Sequence, residues 1–158
     1  MLPDEVTRFI GKVLSTSTLE VEKGAIQRFA DAMGDPNPLY RDEDYARNSR
    51  YGSLIAPPGF FGWPTKWTGA LPVLTKLSEE VGDVLAQAGY PRLLDGGIEF
   101  DFYCPVRAGD VLAASPKVIN ISERDTRSGY LVFLIIETTY INQKGDLVAK
   151  ARQTCIYR

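Results

Sequence analysis

The sequence predicts an α+β fold in which a strand and one central helix precede a run of antiparallel strands. The helix is expected at about residues 24–34, where four apolar side chains recur at helical spacing: Ile26, Phe29, Ala30 and Met33. From about residue 94 to residue 158 the pattern changes to the alternation that is typical of strands. A helix of about ten residues is long enough to lie across a strongly curved sheet.

The strands and their turns have separate signatures. Residues 12–22 alternate apolar and polar side chains and predict the first strand. In residues 98–104 the even-numbered side chains are apolar, and the alternate positions are polar or aromatic. Residues 129–143 are apolar on both faces, which predicts a central strand, and a hairpin turn is expected at 143–146.

The remaining segments follow from helix and turn signals. Gly34 is expected to end the central helix in a left-handed conformation, and Asp42 to cap a short helix that closes near Gly52. Prolines interrupt residues 54–72, so this stretch is not one regular helix, whereas helical spacing returns at 74–88. Residues 1–158 contain no linker or internal repeat and predict a single domain with its sheet at about 94–158.

Composition excludes several function classes. The 158 residues are 44% hydrophobic and 24% charged with a net charge of −2, and no basic stripe is available for nucleic acid. The chain contains no histidine and only two cysteines, Cys104 and Cys155, so no metal site is expected and the thiols are expected to be free and buried. Since neither a signal peptide nor a membrane span is evident, the expected location is the cytoplasm.

The loop Asp35-Pro-Asn-Pro38 allows two interpretations. Asx side chains and prolines are the residues that a structural turn requires. Alternatively, the two prolines hold Asp35 and Asn37 rigidly at the end of the central helix, as general acid–base chemistry requires of a carboxylate. The loop alone leaves both interpretations open.

Three separated motifs favour the second interpretation. The stretch "FADAMGDPNPLYRDEDYARNSRYGSLIAPPGFF", together with "FDFYCPVRAGDVL" and "NQKGDLVAKARQTCIY", resembles the MaoC-like dehydratases, in particular their N-terminal or FAS1-like dehydratase domain. The resemblance covers about residues 10–158. It implies a hotdog fold, a curved five-stranded antiparallel sheet wrapped around a central helix. It also implies (R)-specific hydration of enoyl thioesters, or the reverse dehydration of 3-hydroxyacyl thioesters, in acyl-chain metabolism.

The resemblance assigns site residues and exposes two departures from the family pattern. Asp35 matches the catalytic aspartate, Asn37 matches the asparagine that orients the loop, and Tyr40 occupies the position of the catalytic histidine. A phenol is a poor base near neutral pH, whereas an imidazole both accepts and donates a proton there.

The second departure concerns the backbone donor. Active members carry an Ile-Ala-His-Gly stretch whose N–H polarises the thioester carbonyl. This chain instead has Ala56-Pro57-Pro58, and a proline has no N–H to donate, so that Gly59 takes the role only if the register shifts by one residue.

Both departures predict a degenerate, substrate-binding subunit that pairs with a catalytic hotdog subunit. Residues 58–90 would cover the acyl chain, and four aromatic side chains would line its pocket: Phe60, Phe61, Trp63 and Trp67. Packing in the core is the alternative role for these aromatics. Acyl-CoA or an acyl carrier protein thioester is the expected ligand, and no cofactor is implied.

The residues leave two other functions open. An independently active homodimeric hydratase or thioesterase would use Asp35 as the base for water, with Tyr40 or Asp42 as its helper. A non-catalytic module would bind acyl-CoA without turnover.

Overall fold

The computed structural model describes residues 2–14, 16–60, 80–127 and 129–158. Its helices are α1 (Asp4–Thr7), α2 (Lys23–Met33) and α3 (Glu43–Asn48), with a short 3-10 helix at Pro38–Tyr40 and a helical segment at 80–87. Its strands are β1 (Ser17–Glu20), β2 (Leu93–Phe102), β3 (Val111–Thr126), β4 (Gly129–Ile141) and β5 (Leu147–Tyr157).

The described strands form one five-stranded antiparallel sheet in the order β1-β3-β4-β5-β2. The predicted central position of β4 is confirmed. The turn between β4 and β5 also lies where the sequence predicts it, because Asn142 Oδ1 accepts the N–H groups of Lys144 at 3.0 Å and Asp146 at 2.9 Å.

The central helix α2 packs across one half of the sheet. Ile26 and Ala30 are fully buried among residues of β3, β4 and β5, including Leu112, Tyr140 and Ala149. The expected fourth member of this apolar face, Met33, is instead 65% exposed. The buried stripe ends at Ala30 because Met33 is the last residue of the helix.

A second apolar cluster covers the other half of the sheet. Val6 and Phe9 from the N-terminal segment meet Val81 and Leu85 of the helical segment, above sheet residues such as Leu134. The sequence pattern predicted the helical segment but not α1 or its contribution to the core. The expected start of that helix, near residue 74, lies outside the described residues.

Two strand predictions extend two residues too far. The first strand was predicted to run through residue 22, but its described pairing with β3 ends at Glu20. Val13 forms a further bridge with Lys117 on β3, and Ser15, which lies between this bridge and Ser17, is outside the described residues. The strand predicted to extend through Cys104 ends at Phe102, and the two residues after it form a bend. Residues 21–22 and 103–104 contain no glycine or proline, so no local signal in the sequence marks where these two strands end.

The strand β2 is a long edge of the sheet with an irregularity near its middle. Its register on β5 shifts between Asp95 and Ile98, and Gly97 adopts a φ of 100°. A Cβ on Gly96 would lie 2.9 Å from the main-chain oxygen of Thr154. The bulge therefore depends on two adjacent glycines.

Among the described residues, no helix combines the length and the apolar character that crossing a membrane requires.

Candidate active-site groove

The loop that follows α2 begins with a tight helix end. Gly34 adopts φ 67°, and its N–H donates to Asp31 O at 3.0 Å while the N–H of Asp35 donates to Ala30 O at 2.9 Å. This is the left-handed termination that the sequence predicts. It turns the chain sharply, so that Asp35 starts the loop directly beside the end of the helix.

The side chains of Asp35 and Asn37 then hold the loop. The main-chain N–H of Asn37 donates to Asp35 Oδ1 at 3.0 Å, and the N–H of Leu39 donates to Asn37 Oδ1 at 3.1 Å. Asn37 thereby caps the 3-10 helix Pro38–Tyr40. These are the Asx contacts of a rigid turn, and they fix the carboxylate of Asp35 at the same time.

Arg41 attaches this loop to the central helix. Its guanidinium is 3.0 Å from Asp31 Oδ1 and donates to the main-chain oxygen of Asp35 at 2.5 Å. The side chain of Gln27 donates to Arg41 O at 3.4 Å. The contacts with Asp31 and Gln27 thus limit the movement of the loop relative to α2, and the bond to Asp35 O braces the loop itself.

Tyr40 is buried at the base of the loop and is 8% exposed. Burial raises the pKa of its phenol, the carboxylate of Asp35 raises this pKa further, and the hydrogen-bonding side chain of Asn37 acts in the opposite direction. The phenol is therefore neutral at physiological pH and retains a proton that it can donate.

The segment after α3 runs beside this loop. The N–H of Ile55 donates to Leu39 O at 3.2 Å, and the N–H of Ala56 donates to Val106 O at 2.8 Å. Pro57 and Pro58 have no N–H, and the N–H of Phe60 donates to Pro57 O at 3.2 Å. The backbone donors of Ile55, Ala56 and Phe60 are thus engaged within the protein.

A groove of about 460 Å³ opens between the loop, this segment and the end of β2. Five predicted site residues line it, namely Asn37, Tyr40, Ala56, Pro57 and Pro58. Asp35 and Gly59 are not among its described lining residues. Gly59 has a φ of 84°, which a glycine tolerates best.

Of the four aromatic residues predicted to line the pocket, one lies in the core and three are outside the described residues. Phe60 is 1% exposed and packs edge to face on Phe29, with ring centroids 5.8 Å apart, so it belongs to the core as the alternative interpretation expected. Phe61, Trp63 and Trp67 lie outside the described residues. The described part of the groove is therefore lined by other side chains.

Those additional lining residues were not predicted as site residues. They come from three separate segments and include Leu39, Tyr51, Phe102, Tyr103, Cys104 and Pro105. Burial and the nearby Asp146 raise the pKa of the Cys104 thiol, which donates to Leu147 O at 3.5 Å. Cys104 is therefore a wall residue and not an activated nucleophile.

Tyr51, which lines the groove, contacts two arginine side chains. Its hydroxyl accepts a hydrogen bond from the Arg50 guanidinium at 2.6 Å. The main-chain oxygen of Tyr51 accepts one from Arg107 Nε at 3.3 Å. The sequence offered no signal for the contact between Arg107 and Tyr51, because these residues are distant in the chain.

Residues 8–151 match the family model of the FAS1-like dehydratase domain region. The chain belongs to this family. The FAS1-like match covers the loop of Asp35, the groove and most of the sheet, and it confirms the resemblance seen in the sequence motifs.

A curated relative of this FAS1-like domain comes from Thermomonospora curvata and is described as a probable enoyl-CoA hydratase alpha subunit. It is 32% identical over 133 residues, which is 80% of this chain and 41% of that protein. The present chain thus spans about two fifths of the length of that relative.

Solved structures show the same architecture. The ChsH1–ChsH2 complex from Mycobacterium tuberculosis contains a chain with a TM-score of 0.82, at 18% identity, over 97% of this chain and 93% of that one. A MaoC-like dehydratase from Rhodospirillum rubrum is 25% identical with a TM-score of 0.59, over 94% of this chain and 92% of that one. This FAS1-like domain therefore has the hotdog fold of the MaoC-like hydratases and dehydratases, a group that includes paired subunits.

Proposed function

We propose that this chain is the substrate-binding subunit of an (R)-specific enoyl-thioester hydratase, or of the 3-hydroxyacyl-thioester dehydratase that runs the reverse reaction. In this proposal a second, catalytic hotdog subunit supplies the acid–base chemistry. The observation that carries the proposal is that Tyr40, at the position of the family histidine, is buried and has a raised pKa.

Tyr40 is unsuited to accepting a proton from water. Its pKa is raised by burial and by the Asp35 carboxylate, so the phenolate that could act as a base is even less populated than in an exposed tyrosine. A general base functions best with a pKa near the working pH. The neutral phenol of Tyr40 keeps only the capacity to donate a hydrogen bond to a bound ligand.

The backbone near the groove supports the same conclusion. Pro57 and Pro58 line the groove without an N–H, and the N–H of Ala56 is engaged with Val106 O at 2.8 Å. Stabilising a thioester enolate requires donors aimed at the oxygen on which charge develops. The described segment offers no such donor between residues 55 and 58.

The groove nevertheless has the composition of a ligand site. Apolar and aromatic side chains such as Leu39, Phe102 and Val106 line it together with a few polar groups, and its volume of about 460 Å³ lies in the usual range for small-molecule sites. An acyl thioester would place its apolar chain against this wall, with residues 58–90 as the cover. Phe60 is excepted from the cover because it belongs to the core.

A partner subunit fits the long edge of the sheet. The strand β2 spans ten residues with apolar side chains such as Leu93, Ile98 and Phe102 at 45–50% exposure. Long apolar edges invite pairing with another strand. The ChsH1–ChsH2 complex is a paired assembly in the same fold class, and the Thermomonospora curvata relative is named as one subunit of a hydratase.

The test uses the complex isolated from the native host through a tag on this chain. Hydration of crotonyl-CoA by that complex is expected to change no more than about twofold when this chain carries Asp35→Asn. A catalytic carboxylate would instead cost about 10²- to 10⁴-fold in kcat, and a loss of that size would contradict the proposal. Ala56→Trp, which fills the groove, serves as the matched positive control and should raise KM.

A further inference from the structure

The charged side chains of strand β2, at the edge of the sheet that would meet a partner, are all acidic. Its sequence, Leu93–Phe102, contains the acidic residues Asp95, Glu99 and Asp101 and no lysine or arginine. Ile98 and Phe102 are 45% and 49% exposed, so the same edge is also apolar. The edge therefore combines a hydrophobic attraction with a charge of one sign.

The register separates these two features onto opposite faces of the sheet. Phe100 and Phe102 lie opposite the buried Ala151 and Ala149, on the face that α2 covers. Glu99 and Asp101 lie opposite Arg152 and Lys150, on the outer face. The acidic pair thus occupies one face of the edge, and alternate residues carry the charge.

The cations of β5 do not compensate the acidic pair fully. The guanidinium of Arg152 is 2.6 Å from Asp101 Oδ2, 3.3 Å from Glu137 Oε2 and 3.9 Å from Glu99 Oε2. Lys150 Nζ is 3.4 Å from Glu137 Oε1. Glu99 has the longest of the Arg152 contacts, and its side chain is 81% exposed.

Pairing of β2 with a second copy of itself would therefore oppose like charges. In an antiparallel pair about a twofold axis between residues 98 and 101, Glu99 lies opposite or diagonally across from Glu99 or Asp101 of the copy. Like charges at such cross-strand positions are destabilising. A second copy would thus make favourable apolar contacts on one face of the edge and repulsive contacts between like charges on the other.

We infer that this edge selects a different chain, whose facing strand has apolar side chains opposite Ile98 and Phe102 and a lysine or arginine opposite Glu99. The inference rests on the proposed pairing with a second hotdog subunit and names the chemistry of that partner. Charge complementarity at a rim discriminates between partners more than it adds affinity, and repulsion of the wrong partner is one of its usual means.

The test replaces the unknown partner with a charge-reversed copy of this chain. Glu99→Lys is mixed with the wild-type protein, and dimer formation is measured by sedimentation velocity at an ionic strength of about 0.05 M, where surface charges are weakly screened. The mixed dimer is expected to be at least about fivefold tighter than the wild-type homodimer, because a repulsive cross-strand pair becomes attractive. The difference should shrink as salt is added.

Asp125→Lys provides the matched control, because Asp125 is an exposed acidic residue at the far end of β3. Its mixture with the wild type should associate no better than the wild type alone. A wild-type homodimer as tight as the Glu99→Lys mixture would overturn the inference, as would the absence of any gain in that mixture. The assay contains no substrate, so its outcome is independent of whether the chain acts in a hydratase.

Discussion

The main-chain N–H of Asn37 donates to Asp35 Oδ1 at 3.0 Å, three residues before the buried Tyr40 in the same loop. One carboxylate therefore has two effects. It closes the turn that holds the loop, and its charge contributes to raising the pKa of Tyr40. The Asp35 carboxylate thus belongs to a rigid loop whose neutral Tyr40 phenol can donate a hydrogen bond and is a poor proton acceptor.

The raised pKa of Tyr40 predicts a pH dependence of stability. Tyrosine in the unfolded chain ionises near pH 10, whereas Tyr40 in the folded chain ionises at higher pH. Its contribution is therefore fully present below about pH 10 and is lost as the pH rises through the raised pKa, since the unfolded state then binds fewer protons. Tyr40→Phe should make the free energy of unfolding fall less steeply with pH above 10 in urea titrations. Equal slopes for the two proteins would contradict the assignment.

Gly34 predicts a purely conformational cost. Its φ is 67°, and apart from its chain neighbours no atom of the described residues lies within 4 Å of an added Cβ, so a substitution brings strain without a clash. Gly34→Ala should lower the free energy of unfolding by about 1–2 kcal/mol. Gly34→Asn should cost less, because asparagine adopts the left-handed region more readily. Equal stability of the two variants in urea unfolding would exclude this explanation.

The central helix offers a matched pair of variants. Ile26 is fully buried and Met33 is 65% exposed on the same helix. Ile26→Ala should lower the free energy of unfolding by about 2–5 kcal/mol, whereas Met33→Ala should change it by no more than about 0.5 kcal/mol. Thermal and urea unfolding measure both. A large loss at Met33 in the isolated chain would contradict the observed limit of the buried stripe.

The bulge of β2 predicts that a side chain at Gly96 destabilises the fold through a steric clash. A Cβ on Gly96 would meet Thr154 Cγ2 at 2.8 Å and Thr154 O at 2.9 Å, and the main-chain oxygen cannot rotate away. Gly96→Ala should therefore lower the free energy of unfolding by about 1–3 kcal/mol. Hydrogen exchange should show the loss as faster exchange in β2 and the paired end of β5. Unchanged protection in both strands would show that the bulge accommodates the methyl group.

Local signals in the sequence predicted the elements that depend on near neighbours. Gly34 ends α2 as expected, and the Asp42 side chain caps α3 by accepting the N–H of Tyr45 at 2.9 Å. The apolar period predicted the burial of Ile26 and Ala30. These features depend on residues within about one helical turn, so that the pattern alone contains the necessary information.

Features that depend on contacts between distant parts of the chain were harder to predict from the sequence. Met33 satisfies the helical period, yet it is 65% exposed. Tyr51, Tyr103 and Cys104 line the groove because the fold brings two distant segments together, and no spacing within either segment indicates this. The burial of Phe60 on Phe29 likewise depends on the path of the chain after Pro58. Long-range packing decided each of these positions.

Whether this chain binds the thioester without catalysing its hydration is decided by the behaviour of the purified chain alone toward crotonyl-CoA. Two quantities are measured on one preparation, namely binding by calorimetry and hydration by loss of the enoyl absorbance. The expected result is binding that Ala56→Trp weakens, together with no hydration above the uncatalysed rate. Hydration by the chain alone that Asp35→Asn abolishes would contradict it and would make Asp35 the base of an independently active enzyme.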